Sequence, residues 1–219
     1  MSVWATIDKM MCNFIPKIRF LYGHFYRSMS VRVYAFELSN TPWTQNNLLI
    51  VKTEQFTVDG ALQTTLRESG HWNAIELKRR QTLGDVCYLV MDGSRCVHYS
   101  WVTQRHRYNT EIGFEAASDQ NNPWIYNSYT SVTHRGRLIF PQVLGRIAQE
   151  AKKGDARLVW IDVQDNNRSS VSGVTEAGFV EVAVFKKRVL FSFMVFDRRK
   201  IIVNARLGKE FERLSPKWT

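Results

Sequence analysis

"YTSVTHRGRLIFPQVLGRIAQEAKKG", residues 129–154, joins two periodicities. A β-type run ends in His134-Arg135-Gly136-Arg137, and then Phe140, Val143, Leu144, Ile147, Ala148 and Ala151 recur at helical spacing. Proline has no N–H and is tolerated only in a first turn, so Pro141 sets the helix start near Leu138. Lys152 and Lys153 suit the negative end of the helix dipole, and Gly154 ends it. "ARLVWIDV" (156–163) follows, almost unbroken in apolar residues, as a strand covered on both faces must be. Strand, crossover helix and buried strand predict one right-handed parallel unit. A strand running directly into a helix start leaves the N–H groups of Gly136 to Phe140 unpaired, with Arg135 and Arg137 beside them. Such a turn can hold phosphate oxygens, or it can be an ordinary basic turn with solvated arginines. The segment alone leaves both open.

Upstream, "VRVYAFEL" (31–38) alternates as a strand and "NTPWTQNN" (40–47) ends it. Asp59 can cap a helix over "GALQTTLRES" that stops at Gly70, and "HWNAIELKRRQTL" forms a second helix up to Gly84. Asp92-Gly93 between "DVCYLVM" and "RCVHYSWVTQ" marks a hairpin. "TEIGFEA" and "WIYNSYTSV" extend it into an antiparallel meander. Downstream, "NNRSSVSGVTEAGF" reads as a short helix closed by Gly178, and "VEVAVF" with "RVLFSFMVF" gives the last strands. The fold class is α/β (α+β): a mixed, mostly antiparallel central sheet of about seven strands containing one parallel strand-helix-strand unit. The chain divides into a basic N-terminal extension (1–30), one domain (31–203) and a C-terminal tail (204–219).

The chain has 219 residues and a formal charge of +10, which favours anionic partners. Cys12, Cys87 and Cys96 lack metal-ligand spacing and read as reduced thiols; the five histidines repeat no metal motif. No stretch is long and apolar enough to span a bilayer and no secretory signal is evident, so a cytoplasmic location is expected. Residues 4–21 place Trp4, Ile7, Met11, Phe14, Ile15, Ile18 and Leu21 at helical spacing among Lys9, Lys17 and Arg19. That segment can contact a membrane surface or pack on the domain, with Pro16 interrupting it.

The order of elements over residues 31–196 resembles the GNAT superfamily of acyl-CoA-dependent N-acyltransferases, and within it relatives from surface-polysaccharide pathways. Two segments carry the resemblance. Thr130 to Phe140 is similar to the family's pyrophosphate loop, Q/R-x-x-G-x-G/A, with Arg135 at its first position. Asn167 to Phe179 is similar to the stretch from a cofactor-side asparagine to the Gly-Phe that opens the next strand. The resemblance implies acetyl-CoA or another acyl-CoA as cosubstrate, no metal, and cofactor contacts at Thr130, Val132, Arg135, Gly136, Arg137, Leu138, Ile139, Phe140 and Asn167. Three positions depart from the pattern. Leu138 and Phe140 replace the loop's glycine and glycine or alanine, and Val174 stands where many relatives keep a tyrosine that protonates the departing thiolate.

The implied reaction moves an acyl group from a CoA thioester to an amine of a small molecule or amino sugar. A base must deprotonate the amine, and the candidates are Glu111, Glu115 and His98, with Glu111 preferred. Glu111 and Glu115 share one face of a short strand; His98 shares a face with Cys96 and Ser100 and titrates near neutrality when unperturbed. Tyr126 and Tyr129 can donate to the leaving sulfur. Two other readings stand beside this one: a CoA-binding fold without turnover, and a basic nucleic-acid-binding protein. The latter is weaker because the cations do not concentrate in one helix. The oligomeric state is not legible, and a homodimer is compatible.

Overall fold

The computed structural model describes residues 26–39, 50–53, 60–70, 73–105, 107–109, 112–117, 122–191, 194–214 and 216–218. Its chain order is β1 (Tyr26–Glu37), β2 (Ile50–Thr53), α1 (Gly60–Glu68), α2 (Ala74–Leu83), β3 (Val86–Asp92), β4 (Arg95–Thr103), β5 (Arg107–Asn109), β6 (Phe114–Ala116), β7 (Trp124–Thr130), α3 (Ile139–Lys153), β8 (Leu158–Gln164), α4 (Arg168–Glu176), β9 (Val180–Leu190), β10 (Met194–Ile202), α5 (Ala205–Arg213) and β11 (Lys217–Trp218). Eight strands form one sheet in the order β10-β9-β1-β8-β7-β4-β3-β2. Every described neighbour pair in it is antiparallel except β7 and β8, which run parallel. The mixed, mostly antiparallel sheet with its parallel crossover is therefore present, with eight strands rather than about seven. The extension 4–21, the cap Asp59, the turn 40–47 and Cys12 lie outside the described residues.

β8 shows why its run of apolar residues is unbroken. It lies between β1 and β7, and successive side chains point to opposite faces. Val159, Ile161 and Val163 enter one core cluster with Ile139, Val143, Leu144, Ile147 and Ala148 of α3. Leu158 and Trp160 enter a second, on the other face, with Leu207 and Phe211 of α5. A third cluster gathers Leu66 of α1, Leu77 of α2, Cys87, Cys96, Tyr99 and Trp101. Cys87 and Cys96 are buried free thiols there.

Three stretches depart from the sequence reading. "TEIGFEA" does not extend the meander: β5 and β6 pair with each other, and β6 pairs with β11, in a separate three-stranded sheet. Its anchor is Asp162 of β8, whose carboxylate accepts from Arg107 Nε (2.7 Å) and Nη2 (3.0 Å), Asn109 Nδ2 (2.7 Å) and Trp124 Nε1 (2.7 Å). "RVLFSFMVF" is not one strand, because the β9–β10 turn falls inside it; Phe191, at φ 51°, begins that turn. Residues 204–218 carry α5 and β11. Asn204 caps α5 by accepting from the N–H groups of Arg206 and Leu207, and Leu207 and Phe211 are buried against the sheet.

Beyond the Val31–Gln164 pair, β1 has no register with β8 but continues along β9 to the Tyr26–Leu190 pair. β10 follows β9 over the same stretch. These three strand ends form an arm that extends past β8 by five residues of β1, about 16 Å at ~3.3 Å per residue.

Candidate functional site

The site begins where the sheet parts. β7 and β8 share two residue pairs, Trp124–Trp160 and Ile125–Ile161, and no register beyond them. On its other side β7 stays with β4, but its register jumps from Tyr99–Tyr129 to Trp101–Tyr126. Asn127 and Ser128 thus oppose Ser100 alone, a bulge in which Asn127 takes φ 47°. A cleft of about 380 Å³ lies at this end of β7, lined by β7, His98 of β4, the start of α3 and one side of α4 from its cap Asn167 to Glu176.

The start of α3 is the cleft's polar wall. Ser131 N–H donates to Val97 O and a single 3-10 turn covers Val132–His134. Gly136 then takes φ 75° and Leu138 φ 58°, ψ 19°. Leu138 is the residue preceding α3, and Gln142 N–H donates to Leu138 O, the first bond of the helix. Among the described residues no acceptor faces the N–H groups of Gly136, Arg137, Leu138, Ile139 and Phe140. The left-handed backbone at Leu138 is the conformation that a glycine adopts without strain. Leu138 is 39% exposed, and Gly136, Leu138, Ile139 and Phe140 all line the cleft, so neither bulky side chain closes it. Arg135 donates from Nε to Thr130 O, and its guanidinium lies 5.8 Å from the Tyr129 ring centre. Unpaired amides, a helix N-terminus and adjacent arginines suit a diphosphate.

Phe140 has its own reason to be large. Its ring lies 5.9 Å from that of His98, and a Cβ added to Gly173 of α4 would come 2.9 Å from Phe140 Cδ1. Gly173 therefore makes room for the ring between α3 and α4. Asn167 lines the cleft but is also the cap of α4, its Oδ1 accepting from Ser170 N–H (3.1 Å) and Ser169 Oγ (3.0 Å). Val174 is fully buried in the first core cluster.

His98 is placed otherwise than its sequence position implies. A register shift between Val90 and Met91 puts a bulge in β4 ahead of it. Cys96 consequently joins the cluster of Tyr99 and Trp101, whereas His98 meets Phe140 on the other face. The imidazole is fully buried, and burial pulls its pKa from the usual 6.5 to about 3. It is neutral at pH 7 and is no base of neutral pKa. Both nitrogens are held, Nδ1 by Thr130 Oγ1 and Nε2 by Ser100 Oγ, each at 2.8 Å. Ser100 Oγ donates its proton to Ser128 Oγ at 2.8 Å. Ser100 must then accept from His98 Nε2–H, and His98 Nδ1 must accept from Thr130. The chain Thr130, His98, Ser100, Ser128 therefore runs its donors toward Ser128, which lines the cleft and whose own hydroxyl proton the chain does not use.

The other candidates divide. Tyr129 lines the cleft and stacks on Tyr99 at 5.8 Å. Tyr126 faces the third cluster and donates to Asp85 Oδ2 at 2.6 Å, so it does not serve the cleft. Glu115 belongs to the small sheet and ion-pairs with Lys217 at 2.8 Å. Glu111 lies outside the described residues. Two cleft residues escaped sequence reasoning. Ser128 could be found only through the bulge that turns it inward, and Glu176, the one carboxylate among the described lining residues, carries no motif. Among the described residues no set of three or more His, Cys, Asp or Glu side chains is placed to hold a metal, and no helix is long and apolar enough to cross a membrane.

No protein-family model matches the sequence, and no curated protein matches it significantly. Solved structures do. A GCN5-related N-acetyltransferase from Sphaerobacter thermophilus aligns over 80% of this chain with a TM-score of 0.52 and 16% identity. A protein from Novosphingobium aromaticivorans assigned to the GNAT acetyltransferases aligns over 73% (TM-score 0.51, 14% identity), and a GNAT-family acetyltransferase from Colwellia psychrerythraea over 76% (TM-score 0.50, 13% identity). The chain spans 56%, 63% and 58% of their respective lengths. The fold is that of the GNAT acetyltransferases.

Proposed function

We propose that the protein is an acyl-CoA-dependent N-acyltransferase that moves an acyl group, acetyl being the simplest, to an amine of a small molecule or amino sugar. The observation that carries the proposal is the run of unpaired amides from Gly136 to Phe140, set on the wall of a cleft where β7 and β8 part. Those amides, with Arg135 and Arg137, would hold the diphosphate of CoA; Thr130 and Asn167 line the same cleft, whereas Val132 is exposed and is not among its lining residues. The thioester end would enter the gap along β7.

In the reaction the amine nitrogen attacks the thioester carbonyl carbon, a C–N bond forms, the C–S bond breaks and one amine proton is lost. The carbonyl oxygen gathers charge and then the sulfur does, so both are served by hydrogen-bond donors at fixed positions. Ser128 is such a donor, and it stands in for the acid missing at Val174. His98 is a positioning residue, since it fixes the direction of Ser100 and through it of Ser128. Tyr129 sits next to Ser128 on the cleft wall. Removal of the amine proton is assigned to Glu111.

Calorimetric titration with acetyl-CoA, followed by thiol release over a panel of amines, tests the proposal. Binding with release, and a Ser128→Ala variant that keeps CoA affinity but loses turnover about 10- to 100-fold, is the expected result. No heat and no thermal stabilisation at millimolar acetyl-CoA would overturn it. Binding without release across the panel would leave a CoA-binding protein.

A further inference from the structure

The arm formed by the ends of β1, β9 and β10 has a composition that the rest of the sheet does not share. Residues 26–30, 186–190 and 194–199 carry six cations, Arg27, Lys186, Lys187, Arg188, Arg198 and Arg199, against the single carboxylate of Asp197. The register sets Lys186 directly opposite Arg199, and Lys187 directly opposite Arg198. Like charges in opposed positions destabilise a strand pair. β10 is an edge strand, where cations discourage pairing with another sheet. That account covers β10 and also Arg27 on β1, which past Val31 is an edge as well, whereas Lys186, Lys187 and Arg188 lie on β9 between the two.

Consecutive strand residues face opposite ways, so Lys186 and Arg199 lie on one face of the arm and Lys187 and Arg198 on the other. The arm is basic on both faces. At its tip the sign of the surface changes from charged to apolar: Phe191 and Met194 are each 49% exposed. From them to Lys187 and Arg198 is four residues, about 13 Å along the strands. A blade with an apolar tip and cations on both sides matches a lipid interface, where the tip enters the acyl boundary and the cations meet headgroups all round. A nucleic acid would use one face and offer nothing to Phe191 and Met194. Tyr26, the first described residue, is paired with Leu190 at the arm.

We propose that the arm docks the protein on an anionic phospholipid surface. Strand directions place the arm at the same end of the sheet as the cleft: β1 is antiparallel to β8, β9 to β1, and β7 parallel to β8. Docking therefore turns the mouth of the cleft toward the bilayer. The proposal does not depend on acyl transfer, and its test reads no activity.

The full chain is sedimented with vesicles of phosphatidylcholine alone, or with about one-third phosphatidylserine. Expected is binding to the anionic vesicles only, weakening as salt rises. Lys187→Glu with Arg198→Glu should weaken it tenfold or more, at about fivefold per removed surface charge. Phe191→Ser with Met194→Ser, a pair that leaves every charge in place, should weaken it too, with circular dichroism of both variants unchanged. Equal binding to both vesicle types, no binding to either, or binding that both double variants retain would overturn the proposal. So would binding to heparin or an oligonucleotide that the Phe191/Met194 variant keeps while anionic vesicles are ignored.

Discussion

Acidification should expose His98. Its pKa is about 3 in the folded protein and near 6.5 when unfolded, so between those values the unfolded chain binds the extra proton and the folded chain does not. A histidine shifted downward stabilises the fold fully above pH 6.5, and that contribution is lost as pH falls through the window toward 3. From pH 7 to 4.5 the loss from this group is about 2.5 kcal/mol, taking ~1.36 kcal/mol for each pH unit below 6.5. The imidazole is fully buried, so solvent screening does not reduce this figure. Carboxylates also titrate over this range, which makes the comparison with His98→Gln the informative one. At pH 7 the variant should be less stable by about 1–3 kcal/mol, because Thr130 or Ser100 loses a partner. At pH 4.5 that gap should close. Urea denaturation of both proteins at pH 7, 6, 5 and 4.5 reads the difference, and parallel stability curves would refute a neutral, buried His98.

Leu138→Gly removes a side chain yet should not lower the melting temperature, since a left-handed leucine costs about 1–2 kcal/mol that glycine avoids. CoA affinity should hold or rise; a loss of stability above about 2 kcal/mol would contradict the backbone assignment. Gly173→Ala should destabilise by about 1–3 kcal/mol through the contact with Phe140, and Phe140→Leu should restore part of it in thermal melts. Asp162→Ala leaves the Arg107 guanidinium without its carboxylate and should cost about 3–5 kcal/mol in urea denaturation, far more than Glu68→Ala at its exposed pair with Arg95. Glu111→Gln should depress turnover and remove or move the acidic limb of the pH–rate profile, with acetyl-CoA affinity unchanged.

Periodicity sufficed where one face or both faces of an element are buried. The helix Ile139–Lys153 and the strand Leu158–Gln164 were legible because their side chains sort directly into core clusters. It failed where the information is not local. "TEIGFEA" alternates like a sheet strand, but its partners are Lys217 and Trp218, a hundred residues away, and its tether is one carboxylate on β8. "RVLFSFMVF" hides a turn because Phe191 adopts a conformation that its residue type disfavours. In the site, the cradle was readable from Pro141 and the strand-helix order. His98 was misplaced because a bulge reverses facing, and a bulge leaves no mark in composition. Ser128 was missed for the same reason on β7.

Two residue pairs hold β7 to β8, and the eight-stranded sheet is in effect two four-stranded leaves joined at that waist. The third cluster lies on one leaf alone, whereas α3 with the first cluster crosses the waist on one face and the second cluster crosses it on the other, where Trp124 of β7 stacks on Trp160 of β8. Few backbone bonds cross the waist, and what holds the leaves beside them is side-chain packing, with the Trp124 indole also donating to Asp162 of β8. A ligand that fills the gap and grips both leaves would act as a latch, and its mark would be slowed amide exchange at Ile125 and Ile161 rather than at the sheet's edges.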